Sequence, residues 1–269
     1  MSRGLRVVTM AAVLVAALTV GVAPVLAAAP SNDLYGNATL ITSLPYDQTL
    51  DTTQATTDAT DAEANANCGA PVTLASVWYD FQPASDGGFV IDVSGSSYSA
   101  GVIVVNGSPG SFVLEACGPG AVAFFGTAGV DYHILAFSDT AGVNGGTLVF
   151  HMEAAPPPPV LSLTVDPVGH VDARTGIASL SGTWSCSGVA QFAEIDGTLT
   201  QAVGRFTIQG SFFMEIGPCD GSTQHWTATV YPSNGKFAGG KGAAVTFTFA
   251  CGPVFCSDTF ADQTVQLRR

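Results

Sequence analysis

The stretch ASLSGTWSCS at residues 178–187 decides the fold class, because small or apolar residues alternate in it with serine and threonine. A period of two places successive side chains on opposite faces of an extended strand. One face of this strand then carries five residues: Ala178, Leu180, Gly182, Trp184 and Cys186. The stretch therefore predicts a strand whose apolar face borders a core between two sheets.

The same pattern returns along the second half of the chain. Four further sets alternate in this way: Phe206, Ile208, Gly210 and Phe212; Trp226, Ala228 and Val230; Val245, Phe247, Phe249 and Cys251; Val265 and Leu267. Together with residues 161–165 and 193–199, they give about seven strands, the number in an immunoglobulin-like sandwich. We therefore expect such a sandwich over residues 161–269, with each set facing its core.

The first half shows short runs rich in Val, Ile, Phe and Tyr between Gly, Pro, Ser and Asp. These runs are residues 76–82, 89–93, 102–105, 112–116, 121–126, 132–137 and 147–152. Turn residues at intervals of about ten positions are typical of a β-sandwich or barrel. Helical periodicity is lacking after the first 27 residues, so the acidic segment 51–67 is predicted to be a surface loop.

Four consecutive prolines at residues 156–159 separate the two halves. Because proline fixes φ and lacks an N–H group, the segment 154–160 is predicted to be a semi-rigid linker. The expected architecture is all-β, with two β-sandwich domains at residues 28–153 and 161–269.

The N-terminus predicts export. Arg3 and Arg6 precede an uncharged apolar run, and Val25 and Ala27 occupy the −3 and −1 positions of a signal-peptidase site. Residues 1–27 are therefore predicted to be a cleaved signal peptide; a transmembrane anchor is the alternative, but the apolar core is short. We expect a secreted, extracellular protein without a membrane anchor.

The charge balance excludes two classes of partner. The chain has 8 Lys+Arg against 21 Asp+Glu, a formal net charge of −13, and residues 28–154 contain no Lys or Arg at all. Nucleic acids and anionic lipid surfaces require clustered basic residues. Neither is an expected partner.

Six cysteines predict a disulfide framework formed in an oxidising compartment. They are Cys68, Cys117, Cys186, Cys219, Cys251 and Cys256. No C-x-x-C spacing or nearby histidine pair suggests zinc. The two cysteines of the first half are predicted to pair with each other.

Two pairings are open for the four cysteines of the second half. Cys186 ends one predicted strand and Cys219 precedes a neighbouring one, while Cys251 and Cys256 flank a short loop. These positions favour Cys186–Cys219 with Cys251–Cys256. The alternative, Cys186–Cys251 with Cys219–Cys256, imitates the bridge between the sheets of antibody domains.

The first half resembles the bacterial pre-peptidase C-terminal (PPC) domain family, a jelly-roll-like sandwich appended to many secreted peptidases. The resemblance covers residues 31–153 and rests on ND at 32–33, LPY at 44–46, SVWYDF at 76–81, GSSY at 95–98, TAGVDY at 127–132, GGTL at 145–148 and the two cysteines. Acids that the family usually carries are replaced by Ser99-Ala100 and Gly118-Pro119-Gly120.

The second half resembles an uncharacterised family of immunoglobulin-like domains in exported proteins of high-GC Gram-positive bacteria. The matching pieces are SGT at 181–183, CS at 186–187, GR at 204–205, PCDG at 218–221, HW at 225–226, GKFAGGK at 235–241 and the last two cysteines. This resemblance implies a fold and an extracellular setting, and no activity.

Two sets of residues are candidates for ligand binding. Asp33, Asp58, Asp61 and Glu63 offer hard oxygen ligands for calcium, which some PPC domains bind near their N-terminal segment; a solvated acidic loop is the alternative. Trp78 shares one face of a predicted strand with the polar residues Ser76 and Asp80, so it is expected to be partly exposed. With Tyr98 it is a candidate platform for stacking a sugar ring; burial in a core is the alternative. No cofactor other than calcium is suggested.

No G-x-S-x-G, H-E-x-x-H or G-x-x-x-x-G-K motif is present, and four histidines are scattered. We therefore expect a secreted non-catalytic binding or adhesion protein whose ligand is a polysaccharide or a protein. The alternatives are a hydrolase accessory protein, an inhibitor or an unrecognised hydrolase, and a purely structural component of the envelope.

Overall fold

The computed structural model describes residues 28–269, so the predicted signal peptide lies outside the described residues. The described chain contains 17 strands, one α-helix and one 3-10 helix, which spans Tyr35–Asn37. The all-β prediction is confirmed.

The first domain packs two sheets face to face. Its nine strands are β1 (Thr39–Ile41), β2 (Tyr46–Asp51), β3 (Leu74–Phe81), β4 (Gly87–Asp92), β5 (Ala100–Asn106), β6 (Val113–Pro119), β7 (Ala121–Gly126), β8 (Tyr132–Ser138) and β9 (Thr147–Ala154). One sheet has the order β1-β3-β8-β5-β6 and the other the order β2-β9-β4-β7. Alternating residues of both sheets, such as Tyr79, Ile91 and Phe150, form the core between them.

A short helix, α1 (Ala59–Asn65), lies where a surface loop was expected. The Asp58 side chain accepts from the backbone N–H groups of Thr60 and Asp61, and the Asp61 side chain accepts from the N–H of Asp58, which forms a capping box. Seven residues are too few to show helical periodicity in a sequence, so the loop prediction was wrong here.

The helix covers the outer side of the five-stranded sheet. Ala64 of α1 packs there with Trp78, Ile103, Leu135 and Phe137, which form a second core of the first domain. The five-stranded sheet is therefore buried on both faces, which explains its nearly continuous apolar strands.

The second domain is built around one sheet. Its strands are β10 (Val160–Leu163), β11 (Val168–Val171), β12 (Ala178–Ser187), β13 (Phe192–Val203), β14 (Phe206–Glu215), β15 (Thr223–Pro232), β16 (Gly240–Cys251) and β17 (Cys256–Arg268). The order is β10-β12-β11-β17-β16-β13-β14-β15, and β12 also pairs with β15 along eight residues. This pairing closes seven of the strands, β11 to β17, into a barrel-like sheet, with only a short pairing between β14 and β15.

Most of the alternating sets face the barrel interior as expected, and Leu180, Trp184, Trp226 and Val230 are buried there. Phe206 departs from its set, because it lies at the start of β14 and is 65% exposed. The set on β16 does not face the interior. Val245 is 46% exposed, and Thr246 of the same strand is fully buried. The prediction that Val245, Phe247, Phe249 and Cys251 share the core was therefore wrong.

The reason is the ring of Phe212, which fills the interior beside β16. A Cβ built at Gly197 of β13 would lie 3.0 Å from Thr246 Oγ1 and would overlap the Phe212 ring. With this space occupied, only a small side chain fits inwards at Thr246. The inward residues of β16 are Gly242, Ala244, Thr246, Thr248 and Ala250.

All three favoured disulfides are present. The Cα–Cα distances are 5.9 Å for Cys68–Cys117, 4.5 Å for Cys186–Cys219 and 3.9 Å for Cys251–Cys256. The antibody-like alternative pairing is thereby excluded. The last bridge closes the hairpin between β16 and β17.

Candidate functional site

The outer surface of the second domain carries three rows of side chains across β14, β13, β16 and β17. The register aligns the rows as Ser211, Thr198, Val245 and Asp262; Phe213, Asp196, Phe247 and Phe260; Glu215, Glu194, Phe249 and Asp258. We call these twelve positions the outer aromatic face. They point outwards because the strand residues between them face the barrel interior.

Large apolar side chains of the outer aromatic face are open to solvent. Phe213 is 58% exposed and Phe260 is 66% exposed. A shallow depression of about 440 Å³ lies over the first two rows, between Phe213 and Val245, with Asp196 among its lining residues. Clustered apolar exposure of this kind marks interaction sites on folded proteins.

Five carboxylates interrupt this apolar surface, and none of the twelve positions of the outer aromatic face holds Lys or Arg. Glu194 and Glu215 lie directly opposite each other on neighbouring strands. Burial, together with the negative charges of Asp196 and Glu215, raises the pKa of Glu194, and burial raises the pKa of Asp196. These carboxylates repel one another, so the face favours cationic groups.

The alternating pattern does not reveal this surface, because the more apolar face of β16 is the one that it predicts to lie in the core. The signal in the sequence that could indicate the true orientation is the other alternating face of β16, where Ala and Thr occupy every second position from Ala244 to Ala250. Small residues at these positions are compatible with a crowded interior as well as with a surface.

The sugar-stacking hypothesis for Trp78 and Tyr98 is wrong. Trp78 is 0% exposed, and its Nε1 donates to Asp61 Oδ1 at 2.8 Å. Tyr98 packs against the core between the two sheets, whereas Trp78 lies in the core on the other side of the five-stranded sheet. The alternative, burial of Trp78, is correct.

The four calcium candidates all accept hydrogen bonds from groups of the protein. Asp33 accepts from the backbone N–H and hydroxyl of Thr56, and Glu63 accepts from the backbone N–H of Gly110 at 2.6 Å. Asp58 and Asp61 form the capping box of α1. Within residues 28–269 no group of three or more His, Cys, Asp or Glu side chains is arranged to hold a metal ion. The structure therefore gives calcium binding by these residues no support.

Asp61 has a structural role in addition. It is 1% exposed and also accepts from Ser76 Oγ at 2.8 Å. Burial raises the pKa of its carboxyl, against the opposing effect of these hydrogen bonds. The carboxylate joins α1 to β3 by satisfying two buried donors of that strand.

A second polar cluster that the sequence did not reveal surrounds His133 in the first domain. His133 Nδ1 lies 2.6 Å from Asp80 Oδ1, and its Nε2 lies 3.2 Å from the Tyr35 hydroxyl and from the Gly107 carbonyl oxygen. Asp80 and His133 are direct cross-strand partners on β3 and β8. The cluster fixes the 3-10 turn at Tyr35 against this sheet.

No family model matches the chain, and no curated protein matches it. Similar solved structures include β-glucuronidase from Parabacteroides merdae, with 14% identity over 72% of this chain and 28% of that chain and a TM-score of 0.28. A GH2 β-galacturonidase from Eisenbergiella tayi has 11% identity over 77% of this chain and 37% of that chain, with a TM-score of 0.23. The chain spans only 28% and 37% of the length of these enzymes. TM-scores of this size support no inference about function.

Within residues 28–269 no helix is long and apolar enough to cross a membrane. The three disulfides fit an oxidising environment.

Proposed function

We propose that this chain is a secreted, non-catalytic binding or adhesion protein that acts outside the cell on a polysaccharide or protein ligand. The observation that carries the proposal is the outer aromatic face, where exposed Phe213, Val245 and Phe260 lie among five carboxylates. The signal-peptide pattern at residues 1–27 and the disulfides support export.

The packing of the barrel does not require these exposed rings. The interior of the second domain is filled by other residues, including Trp184, Ile195 and Trp226. Exposing large apolar side chains to water is unfavourable, so their clustering on one face favours a recognition role. The two resemblances, to the PPC family and to the immunoglobulin-like family, add an extracellular setting to this proposal.

The test is a binding assay on immobilised chitin, purified bacterial cell wall and extracellular matrix proteins, with the purified protein as the soluble partner. We expect retention on at least one material, and loss of retention in the variants Phe213→Ser and Phe260→Ser. The matched control is Phe206→Ser, because Phe206 is 65% exposed on the same strand as Phe213 but lies outside the three rows.

Equal retention of all the variants would place binding elsewhere on the molecule. Failure of the wild-type protein to bind any of the materials would count against a binding function.

A further inference from the structure

We infer that the outer aromatic face binds an extended cationic segment of another protein, in which apolar side chains alternate with basic ones. The inference rests on the proposed function and specifies the partner of the same face. It depends on the charge, the exposed rings and the spacing of the three rows.

The charge of the face favours a cationic partner. Each row contains at least one carboxylate, and the third row has three of them, on Glu215, Glu194 and Asp258. Like charges directly opposite each other on neighbouring strands are destabilising. A Lys or Arg side chain placed between Glu194 and Glu215 offsets this repulsion, because its positive charge attracts both carboxylates.

The exposed rings select a partner that also has apolar groups. Val245 and Phe260 flank Phe247 on the face. Aliphatic side chains of a partner cover such surface, and the long stems of Lys and Arg do the same while their charged ends reach the carboxylates. A guanidinium or ammonium group over a Phe ring adds a cation–π attraction.

The spacing of the rows matches an extended polypeptide. Successive rows are two residues apart along each strand, which is a repeat of about 6.8 Å. An extended segment lying along the strands presents the side chains of one of its faces at the same repeat. Three successive side chains on that face of the partner segment therefore contact one row each.

Other occupants fit the face less well. A second copy of this chain would set the same five carboxylates against each other, which opposes self-association. The rings of Phe247 and Phe260 are inclined by 38° with centroids 5.9 Å apart, so they offer no common plane for stacking sugar rings. A metal ion lacks a suitable group of ligands among the described residues.

The test is fluorescence anisotropy with the purified full chain and a labelled peptide of three Lys-Ser-Leu-Ser repeats. We expect binding that weakens about tenfold in Phe213→Ser and in Glu194→Gln, and a shallower dependence on salt in Glu194→Gln. Peptides in which Glu replaces Lys, or Ser replaces Leu, should bind at least about tenfold more weakly than the parent peptide.

Two matched variants control for general effects. Phe206→Ser removes an exposed ring outside the face, and Glu153→Gln removes an exposed carboxylate of the first domain. Both should leave the affinity for the Lys-Ser-Leu-Ser peptide within about twofold of wild type. Unchanged melting temperatures show that the face variants still fold.

The outcomes separate this inference from the proposed function. If the peptide does not bind, but Phe213→Ser abolishes retention on a polysaccharide, the inference is overturned and the proposed function stands. If the peptide binds equally well to wild type, Phe213→Ser and Glu194→Gln, the inference is also overturned, because the contact lies elsewhere. Absence of both peptide binding and retention on every material overturns both.

Discussion

His151 on β9 is paired with Asp47, its direct cross-strand partner on β2. The Asp47 Oδ1 to His151 Nδ1 distance is 2.7 Å. This hydrogen bond raises the pKa of His151 above its usual 6.5, with a further contribution from Glu153, whose Oε2 lies 3.7 Å from Nε2. Stabilisation by the protonated ring is therefore complete below pH 6.5 and is lost as the pH rises through the raised pKa.

We expect Asp47→Asn to lower the pKa of His151 towards 6.5, and Glu153→Gln to lower it less because the Glu153 carboxylate is more distant. A proton NMR titration of the histidine ring signals measures both changes. If Asp47→Asn leaves the pKa of His151 unchanged, the Asp47–His151 pair does not form in solution.

At the level of single residues, the sequence identified the acidic segment but not the role of its members. Asp58, Asp61 and Glu63 appear in sequence as three solvated carboxylates or three calcium ligands. Asp61 is in fact buried against Trp78, which is 17 residues away in the chain. Spacing along a sequence does not specify such a contact, because the donors come from a different element.

At the level of elements, the strand patterns predicted seven of the eight strands of the second domain, missing β11, and the strand positions favoured the disulfides that are observed. The patterns did not settle which face of β16 points inwards, because both of its alternating sets contain residues that a core accepts. Phe212 decides the matter by filling the space opposite Gly197 and Thr246. A residue of another strand therefore controls the orientation, and pattern analysis of β16 alone cannot detect it.

Two threonines of β16 test the inward orientation of its small residues. Both are 0% exposed. Thr248 Oγ1 donates to the Glu194 carbonyl oxygen at 2.8 Å, whereas Thr246 Oγ1 has no hydrogen-bond partner among residues 28–269. Replacing an unpaired buried hydroxyl by a methyl group stabilises the folded state, because it removes the desolvation penalty of that hydroxyl. Replacing a paired buried hydroxyl destabilises the folded state, because a hydrogen bond is lost.

We expect Thr246→Val to stabilise the protein by about 1 kcal/mol and Thr248→Val to destabilise it by about 1 kcal/mol. Urea denaturation at unchanged m-value measures both free energies of unfolding. Each variant is the control for the other, since both make the same chemical change on the same strand. Near-zero effects of both would indicate that these side chains face solvent and that the strand is turned the other way.

At the level of the whole molecule, the prolines predict a linker between the two halves of the chain but not a contact between them. The segment between β9 and β10 runs from Ala155 to Pro159, and the N–H of Ala155 donates to the Gly88 carbonyl oxygen at 2.9 Å. Phe255, in the loop closed by the Cys251–Cys256 disulfide, packs on the first domain with its ring centroid 5.7 Å from that of Phe125. No periodicity in the sequence predicts this contact, because it is formed by one loop residue.

Phe255 rests over Gly88, which is the cross-strand partner of Phe125. A Cβ at Gly88 would overlap the Phe255 ring, so glycine is needed for this close approach. Since a proline linker limits bending only in part, the ring of Phe255 restricts the relative motion of the domains.

Phe255→Ala should therefore broaden the distribution of interdomain distances and increase the radius of gyration in small-angle X-ray scattering. Phe260→Ala is the matched control, because it removes an exposed ring of the same hairpin that lies outside this contact. Superimposable scattering curves for wild type and Phe255→Ala would show that the linker alone sets the arrangement.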